Sequence, residues 1–471
     1  MDYSGIKVLI MGLGLHGGGL ESARFFLKRG GELTVTDLRD EKILMPSIEK
    51  LEKTCNELGG KPVRYVLGRH EIEDFKNADM VIKNPGVKPD SPFLKAAKRI
   101  ETDISLFLSE SPARLFAVTG TKGKSFTASA LHHILKSCGK AFLGGNITVS
   151  PLNFLEELGK DDDVVLELSS FQLGDLKGRA LLKPAAAIIT SIMADHLDRY
   201  VSMEEYIDDK KNICRGQDSN CITIASDDRW GKSFLSETNA RPLVFSNSVL
   251  EEGKSGGWLN GGGFARLYNF PGITEEVTEL FPKKLFVPGE HQKSNMLAAA
   301  LAAFGSGVKA EKIRGALSDF RGIEHRLELF HEANGVRFYN DSAATIPEAA
   351  SACIGALSPL APLVLVTGGT NKNLDFTPLS RAAAGAKDII LLEGSGSEKL
   401  KPLLGEAGIS FSGPFDDLDR AVSCALEKAK QGCIVALSPG CASFGMFLNE
   451  FDRGRKWKEA VLRGLGKNSK Q

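Results

Sequence analysis

The sequence predicts an α/β protein of three domains, and three observations carry that reading. A strand, a glycine-rich turn, a helix and a second strand open the chain; another strand–glycine loop–helix unit stands near residue 118; strands ending in small polar residues before helical patterns fill the last third. At 471 residues the chain exceeds one hydrophobic core, and its length suggests roughly three domains. The expected boundaries are 1–105 for a Rossmann-like first domain, 106–321 for a central P-loop ATPase-type domain on a parallel sheet, and 322–471 for a Rossmann-like C-terminal α/β domain.

The composition, 42% apolar and 25% charged, is that of an ordinary globular chain. Its 59 basic side chains balance 59 acidic ones, so no global field recruits nucleic acid or an anionic membrane, and any anion site must be local. The eight cysteines include no C-x-x-C pair and several stand in apolar runs, so buried, reduced thiols are expected. The opening residues run into a charged-flanked strand without a secretory h-region, and no stretch approaches ~18 apolar residues. A cytoplasmic protein without membrane insertion is expected.

The first strand is Lys7-Val8-Leu9-Ile10-Met11. Gly12-Leu13-Gly14-Leu15-His16-Gly17 follows, then a helical pattern through Phe25-Phe26-Leu27 and a second strand, Glu32 to Asp37. A G-x-G-x-x-G turn between strand and helix, with an acid further on at Asp37, lets backbone approach a phosphate and sets the carboxylate near a ribose or base. Glycines used only for tight helix–strand packing are the alternative. Strand-like Ala78 to Lys83 then runs into the turn Asn84-Pro85-Gly86-Val87.

The central segment carries Val118-Thr119-Gly120-Thr121-Lys122-Gly123-Lys124-Ser125 between a strand and a helix. Such a loop is a phosphate cradle: amides and a helix N-terminus face the anion, Lys124 supplies charge, and the Ser125 hydroxyl can hold Mg²⁺. It is shorter than the ordinary P-loop, since only Thr121 and Lys122 separate Gly120 from Gly123. Val164 to Gln172 reads as a buried strand interrupted by Glu167. A lone carboxylate there is costly unless paired or metal-bound, which makes Glu167 a Mg²⁺ ligand candidate or half of an ion pair. Ala185 to Thr190 gives another strand, followed by Asp195-His196-Leu197-Asp198-Arg199-Tyr200, where ligands of parallel sheets bind. In the helix from Met203 to Ile213 the lysines read, on propensity alone, as a solvated face. Residues 246–264, rich in Gly and Ser, read as an exposed hairpin or loop excursion. In the third segment, strands near 336–339, 363–367, 389–392 and 434–437 each end in small polar residues.

In their order these motifs resemble the Mur ligase family, the ATP-dependent ligases that build the peptidoglycan stem peptide, across essentially the whole chain. The carriers are Thr119 to Ser125, Gly144-Gly145-Asn146-Ile147, Glu167-Leu168-Ser169-Ser170-Phe171-Gln172, Asp195 to Tyr200 and His325-Arg326-Leu327-Glu328. Ser169 to Leu173, the first domain, and Asn371-Lys372 before Asp375-Phe376 most resemble the branch that adds glutamate to UDP-N-acetylmuramoyl-L-alanine. Folylpolyglutamate synthases share the central loop but lack such a first domain.

The resemblance implies a cytoplasmic, monomeric ligase that forms a C–N bond in peptidoglycan precursor synthesis, with ATP as co-substrate and Mg²⁺ as cofactor. It implies that Leu15, Asp37, Arg39 and Gly86 line the UDP site, and that Asn146, Ser169, Gln172 and Thr345 contact substrate. Gly120, Thr121, Lys122, Gly123, Lys124 and Ser125 would hold ATP phosphates, with Asn295, Arg326 and Asp341 around adenine and ribose. Ser125, Glu167, His196 and Lys210, the last as a carbamate, would hold metal, and Lys124, Glu167, His196 and Lys210 would form the catalytic set. Lys210 is preferred to Lys211 for the carbamate, which reverses the solvated-face reading. Lys372 and Ser443 match the pocket for the incoming glutamate.

The chain departs from the family pattern at Ala343, where glutamate-adding members usually carry Lys, and at Lys122, Phe126 and Gln292. The resemblance makes D-glutamate the expected amino acid, and the departure at Ala343 leaves L-glutamate as the alternative, with a non-catalytic nucleotide-binding relative behind both. A nicotinamide-dependent oxidoreductase, suggested by Gly12 to Asp37, leaves the second phosphate loop and Asp195-His196 unexplained.

Overall fold

Three β-sheets form among the described residues of the computed structural model, which are 2–15, 18–147, 149–194, 199–372 and 374–468. His16 and Gly17 of the first glycine turn, and Asp195, His196, Leu197 and Asp198, lie outside them.

The first sheet comprises β1 (Lys7–Met11), β2 (Glu32–Asp37), β3 (Arg64–Leu67), β4 (Met80–Lys83) and β5 (Ile100–Glu101), all parallel in the order β3-β2-β1-β4-β5. The order reverses between β1 and β4, and in such sheets ligands bind at the carboxyl ends of the strands flanking that switch. Helix Glu41–Leu58 is capped by the Asp40 carboxylate, which accepts from Ile43 N, and stopped by Gly59 in the left-handed region.

The second sheet holds β6 (Arg114–Thr119), β7 (Ala141–Gly145), β8 (Asp163–Glu167), β9 (Ala186–Ile189), β10 (Ile222–Ser226), β11 (Arg241–Ser246), β12 (Gly256–Leu259), β13 (Gly263–Arg266) and β14 (Thr278–Glu279). Its order is β14-β13-β12-β11-β10-β9-β6-β8-β7, parallel from β7 to β12 and antiparallel beyond. β6 lies between β8 and β9, so its strand end faces two neighbouring strand ends. Val164, Val165, Leu166 and Ala186 to Ile189 are fully buried, which is why these strands read as unbroken apolar runs.

The third sheet is β15 (Glu328–Ala333), β16 (Val336–Asn340), β17 (Leu363–Gly368), β18 (Asp388–Leu392), β19 (Ser412–Phe415) and β20 (Ile434–Leu437), ordered β15-β16-β20-β17-β18-β19 with only β15 antiparallel. Residues 1–282 with 294–317 form one compact unit, holding the first two sheets; residues 283–293 with 318–471 form another around the third. Within the first unit, one apolar cluster runs from Phe25 and Phe26 through Phe107 and Phe154 to Leu166 and Ile189, so the two sheets share a core.

Two expectations need correction. The run 164–172 is not one strand: β8 stops at Glu167, and Ser169 caps a helix, Ser170–Asp175, through a reciprocal bond pair with Gln172. The 246–264 excursion is not wholly exposed: residues 256–259 are buried, and Gly257 gives Leu297 and Leu301 the space they pack into. All eight cysteines are free; six are buried, Cys424 is half-buried and Cys138 is exposed. Among the described residues no helix is long and apolar enough to cross a membrane.

Candidate functional site

The loop after β6 is fixed by its neighbours. Thr121 N donates to Ser191 O at 2.7 Å, and the Thr190 and Ser191 hydroxyls both donate to Lys122 O, at 2.6 and 3.2 Å. The Thr121 hydroxyl meets Tyr206 OH at 3.0 Å. Glycine is required at both turns: Gly120 has φ +147° and a Cβ there would lie 1.9 Å from Thr190 Oγ1, while Gly123 has φ +89° and its Cβ would lie 2.6 Å from Asn295 Oδ1. Helix Lys124–Lys136 starts directly after Gly123, so its N-terminus and Lys124 stand at the loop. Lys124 Nζ donates to Gly120 O and Thr121 O, at 3.1 and 3.0 Å.

A second cation reaches the same loop. Lys210, on helix Met203–Lys211, is 1% exposed, and its Nζ donates to Gly120 O at 2.9 Å while lying 4.6 Å from the centre of the Tyr206 ring. Lys211 turns elsewhere and pairs with Glu237. The two side chains meet on one loop carbonyl, and Lys124 gives a net-neutral chain the local positive charge that a polyphosphate needs.

Glu167 ends the strand beside this loop and is 1% exposed. Its Oε1 accepts from Asn146 Nδ2 at 3.1 Å, and Asn146 N donates to Glu167 O at 2.8 Å. Its Oε2 has no hydrogen-bond partner among the described residues. Leaving a buried charged acceptor unmatched costs upwards of about 1–3 kcal/mol. An oxygen donor set of Glu167 and Ser125 suits a hard cation such as Mg²⁺. A group of metal-ligating types, Glu324, His325 and Glu328, lies in the second unit, but Lys458 Nζ already bridges its two carboxylates, at 2.7 and 3.0 Å.

The phosphate loop opens onto a cleft of about 410 Å³ walled by Lys124, Asn146, Ser169, Gln172, Tyr206 and Lys210 on one side and by Gly18, Asn84, Pro85, Gly86 and Asp103 on the other. Asp103, buried beside the Ser150 hydroxyl, has its carboxyl pushed up to about 6 by burial. A second cleft of about 330 Å³ is lined by Gly12, Gly14, Asp37, Arg39, His70, Asn84 and Gly86. Asn84 and Gly86 border both, so the two clefts are successive parts of one trough. Asp37 organises the far end: its Oδ2 accepts from Gly14 N at 3.2 Å and its Oδ1 from Arg39 N at 3.0 Å. Leu15 is exposed nearby in sequence, at the glycine turn.

Sequence reasoning did not single out His70, Asp103 or Tyr206. His70 Nδ1 lies 2.7 Å from the Thr36 hydroxyl, and burial lowers its pKa. No local pattern marks these residues; only the pairing of distant segments brings them to the trough.

The first unit thus gathers Asp37, Arg39, Gly86, Gly120 to Ser125, Asn146, Glu167, Ser169, Gln172, Lys210 and Asn295. In the second unit stand Arg326, Asp341, Thr345, Lys372 and Ser443. Asp341 Oδ1 accepts from Leu327 N at 3.0 Å and Oδ2 from the Ser438 hydroxyl at 2.6 Å; burial raises its carboxyl to about 7. Arg326 and Lys372 are exposed, Thr345 is half-buried and Ser443 is buried. Arg453, also missed, is buried and binds Ser342 Oγ, Ser342 O and Cys441 O, tying together the loops after β16 and β20.

Three family models match in succession: the Mur ligase MurD-like N-terminal domain over residues 6–105, the Mur ligase middle domain over 118–303, and the Mur ligase glutamate ligase domain over 325–441. The UDP-N-acetylmuramoylalanine–D-glutamate ligase of Treponema pallidum (strain Nichols) is 38% identical, covering 97% of each chain. That of Borreliella burgdorferi (strain ZS7) is 38% identical over 98% of each. Among solved structures, the UDP-N-acetylmuramate-alanine ligase MurC of Thermotoga maritima superposes with a TM-score of 0.59 at 19% identity, covering 97% of this chain and 99% of its own. The MurF ligase of Thermotoga maritima in complex with ADP gives 0.57 at 17% identity, covering 99% and 96%. These two speak for the fold alone. With relatives alike over nearly its whole length and three family models laid end to end on its three sheets, the chain belongs to the Mur ligase family.

Proposed function

We propose that this chain joins D-glutamate to UDP-N-acetylmuramoyl-L-alanine at the expense of ATP, as a cytoplasmic monomer in peptidoglycan precursor synthesis. The observation that carries the reading is the trough: a nucleotide-type cleft at Asp37 continues past Asn84 and Gly86 to a phosphate loop with two lysines and a buried carboxylate. A substrate with a nucleotide at one end and a reacting carboxylate at the other fits that layout. The D-glutamate relatives supply the amino acid.

In the reaction, a substrate carboxylate oxygen attacks the γ-phosphorus of ATP, the bond to the β-phosphate oxygen breaks, and an acyl phosphate and ADP result. The glutamate amine then adds to the acyl carbon and loses a proton, and phosphate departs as the amide forms. Both steps gather negative charge, so positioning and charge neutralisation dominate. Lys124 and the helix N-terminus bind the phosphates, Lys210 and Tyr206 hold the loop, and Asn146 orients Glu167. Ser125, Glu167, His196 and a carbamate on Lys210 would hold Mg²⁺, which when bound shields the phosphate charge. Asn295 would flank the nucleoside in the first unit; in the second, Lys372 and Ser443 would receive the glutamate, with Arg326 beside Leu327, whose N–H Asp341 holds. No nucleophilic side chain is required.

The test is phosphate release with ATP, Mg²⁺ and UDP-N-acetylmuramoyl-L-alanine, with D- or L-glutamate as acceptor. Turnover with D-glutamate alone is expected. Turnover with L-glutamate alone would move the chain to the alternative acceptor and give Ala343 a meaning. ATP binding without turnover on either would sink the reading.

A further inference from the structure

The turn 84–87 is the wall shared by both clefts, and its carbonyl oxygens are held by two cations. Lys83, the last residue of β4, is 3% exposed; its Nζ donates to Asp175 Oδ2 at 2.8 Å, Val87 O at 3.0 Å and Asn84 O at 3.4 Å. Arg199 donates to Pro85 O at 3.3 Å and Val87 O at 3.4 Å. Both cations are referred to one short helix, Ser170–Asp175: Asp175 ends it, and the Arg199 guanidinium lies 3.7 Å from the centre of the Phe171 ring. Gln172 of that helix and its cap Ser169 line the phosphate-loop cleft.

We propose that Lys83 and Asp175, with Arg199, are positioning residues that set the nucleotide end of the trough in register with the phosphate loop. The inference rests on reading the trough as the path of UDP-N-acetylmuramoyl-L-alanine. Stability alone is a poor reason for the pair, since desolvating two charges offsets their attraction and an apolar pair of similar volume commonly serves as well. What an ammonium adds is direction. Its three donors meet three acceptors, one on the helix and two on the turn, so the two walls cannot shift independently. Register matters to binding, because a substrate spanning both clefts makes its contacts at both ends only if the two are correctly spaced, and to rate, because its far end must set the carboxylate within reach of the γ-phosphate.

Single removal of either charge strands the other and threatens folding, so the deciding variant is the double substitution K83M/D175L. We expect its Tm to stay near that of the parent, its KM for UDP-N-acetylmuramoyl-L-alanine to rise roughly tenfold or more, the scale of a misplaced substrate, and its KM for ATP to hold within about twofold. A second variant, Asp175→Glu, keeps the charges and lengthens the link; it should show the same split while folding normally, and it decides the matter if the double variant does not fold. Unchanged KM values, or both rising together, would overturn the proposal. Absence of turnover by the parent chain with this substrate would instead remove the functional reading, and the proposal with it. An active parent with unsplit variants sinks the positioning role alone.

Discussion

Two buried carboxylates at strand ends, Glu167 and Asp341, are alike in burial and opposite in wiring. Glu167 closes β8 at 1% exposure, and Asp341 follows β16 at 7%. Asp341 has a donor on each oxygen, Leu327 N and the Ser438 hydroxyl. Glu167 has Asn146 on one oxygen and, among the described residues, no donor on the other. Burial does not tell a ligand from a strut. The donors do: a fold that needs a carboxylate for itself saturates it, and one that keeps it for a cation leaves an oxygen over.

The sharpest way to break that comparison is Glu167→Gln. If Oε2 is kept for Mg²⁺, the amide removes the charge without removing volume. Phosphate release should then fall roughly a hundredfold or more, the several kcal/mol that a lost metal contact is worth. Thermal unfolding should not suffer, since a buried unmatched anion has gone. A variant within about threefold of the parent in turnover would show that the unmatched oxygen is an accident of packing.

Lys210 and Lys211 repeat the contrast on adjacent residues. Lys210 is buried against Gly120 O, and Lys211 pairs with Glu237, itself 57% exposed. Lys210→Ala should lower turnover by roughly tenfold to a hundredfold, the range for lost groups that orient a metal site. Lys211→Ala should leave turnover unchanged and cost only stability, through the lost pair with Glu237 and the packing of its half-buried stem. Equal effects in the phosphate-release assay would end the distinction and the preference for Lys210 as the carbamate.

The phosphate loop was legible in the sequence because its demands are local. Gly120 and Gly123 sit where a Cβ collides, and Lys124 follows at once. Glu167 was legible because one carboxylate interrupts an apolar run. The end of β8 was not, since Leu168 and Leu173 are as buried in the turn and helix as Val164 is in the strand, and apolarity alone does not report the change. The Gly- and Ser-rich stretch 246–264 reads as an exposed hairpin or loop excursion, whereas its residues 256–259 are buried and Gly257 is small because leucines pack on it. The wiring of Asp341 and the Lys83–Asp175 pair were illegible for one reason: their partners lie far along the chain, and no local pattern names them.

Asp341 also makes a prediction of its own, the smallest of the three. Burial holds its carboxyl at about 7 against an ordinary 3.8. Between those values the folded chain keeps a proton that the unfolded chain has lost. The group's favourable contribution is therefore fully present below about pH 4 and is lost as pH rises toward 7, at a slope of at most about 1.4 kcal/mol per pH unit. Asp341→Asn cannot ionise, so the difference in Tm between parent and variant should drift in the variant's favour from pH 4 to 7 and then level off. At low pH the variant should be the less stable, because its NH2 group must stand where an oxygen accepted from Leu327 N or Ser438. A parent-minus-variant difference that is flat across the range would mean that Asp341 is ionised throughout, and that its donors outweigh its burial. In that case the contrast with Glu167 would lie only in the number of donors and not in charge.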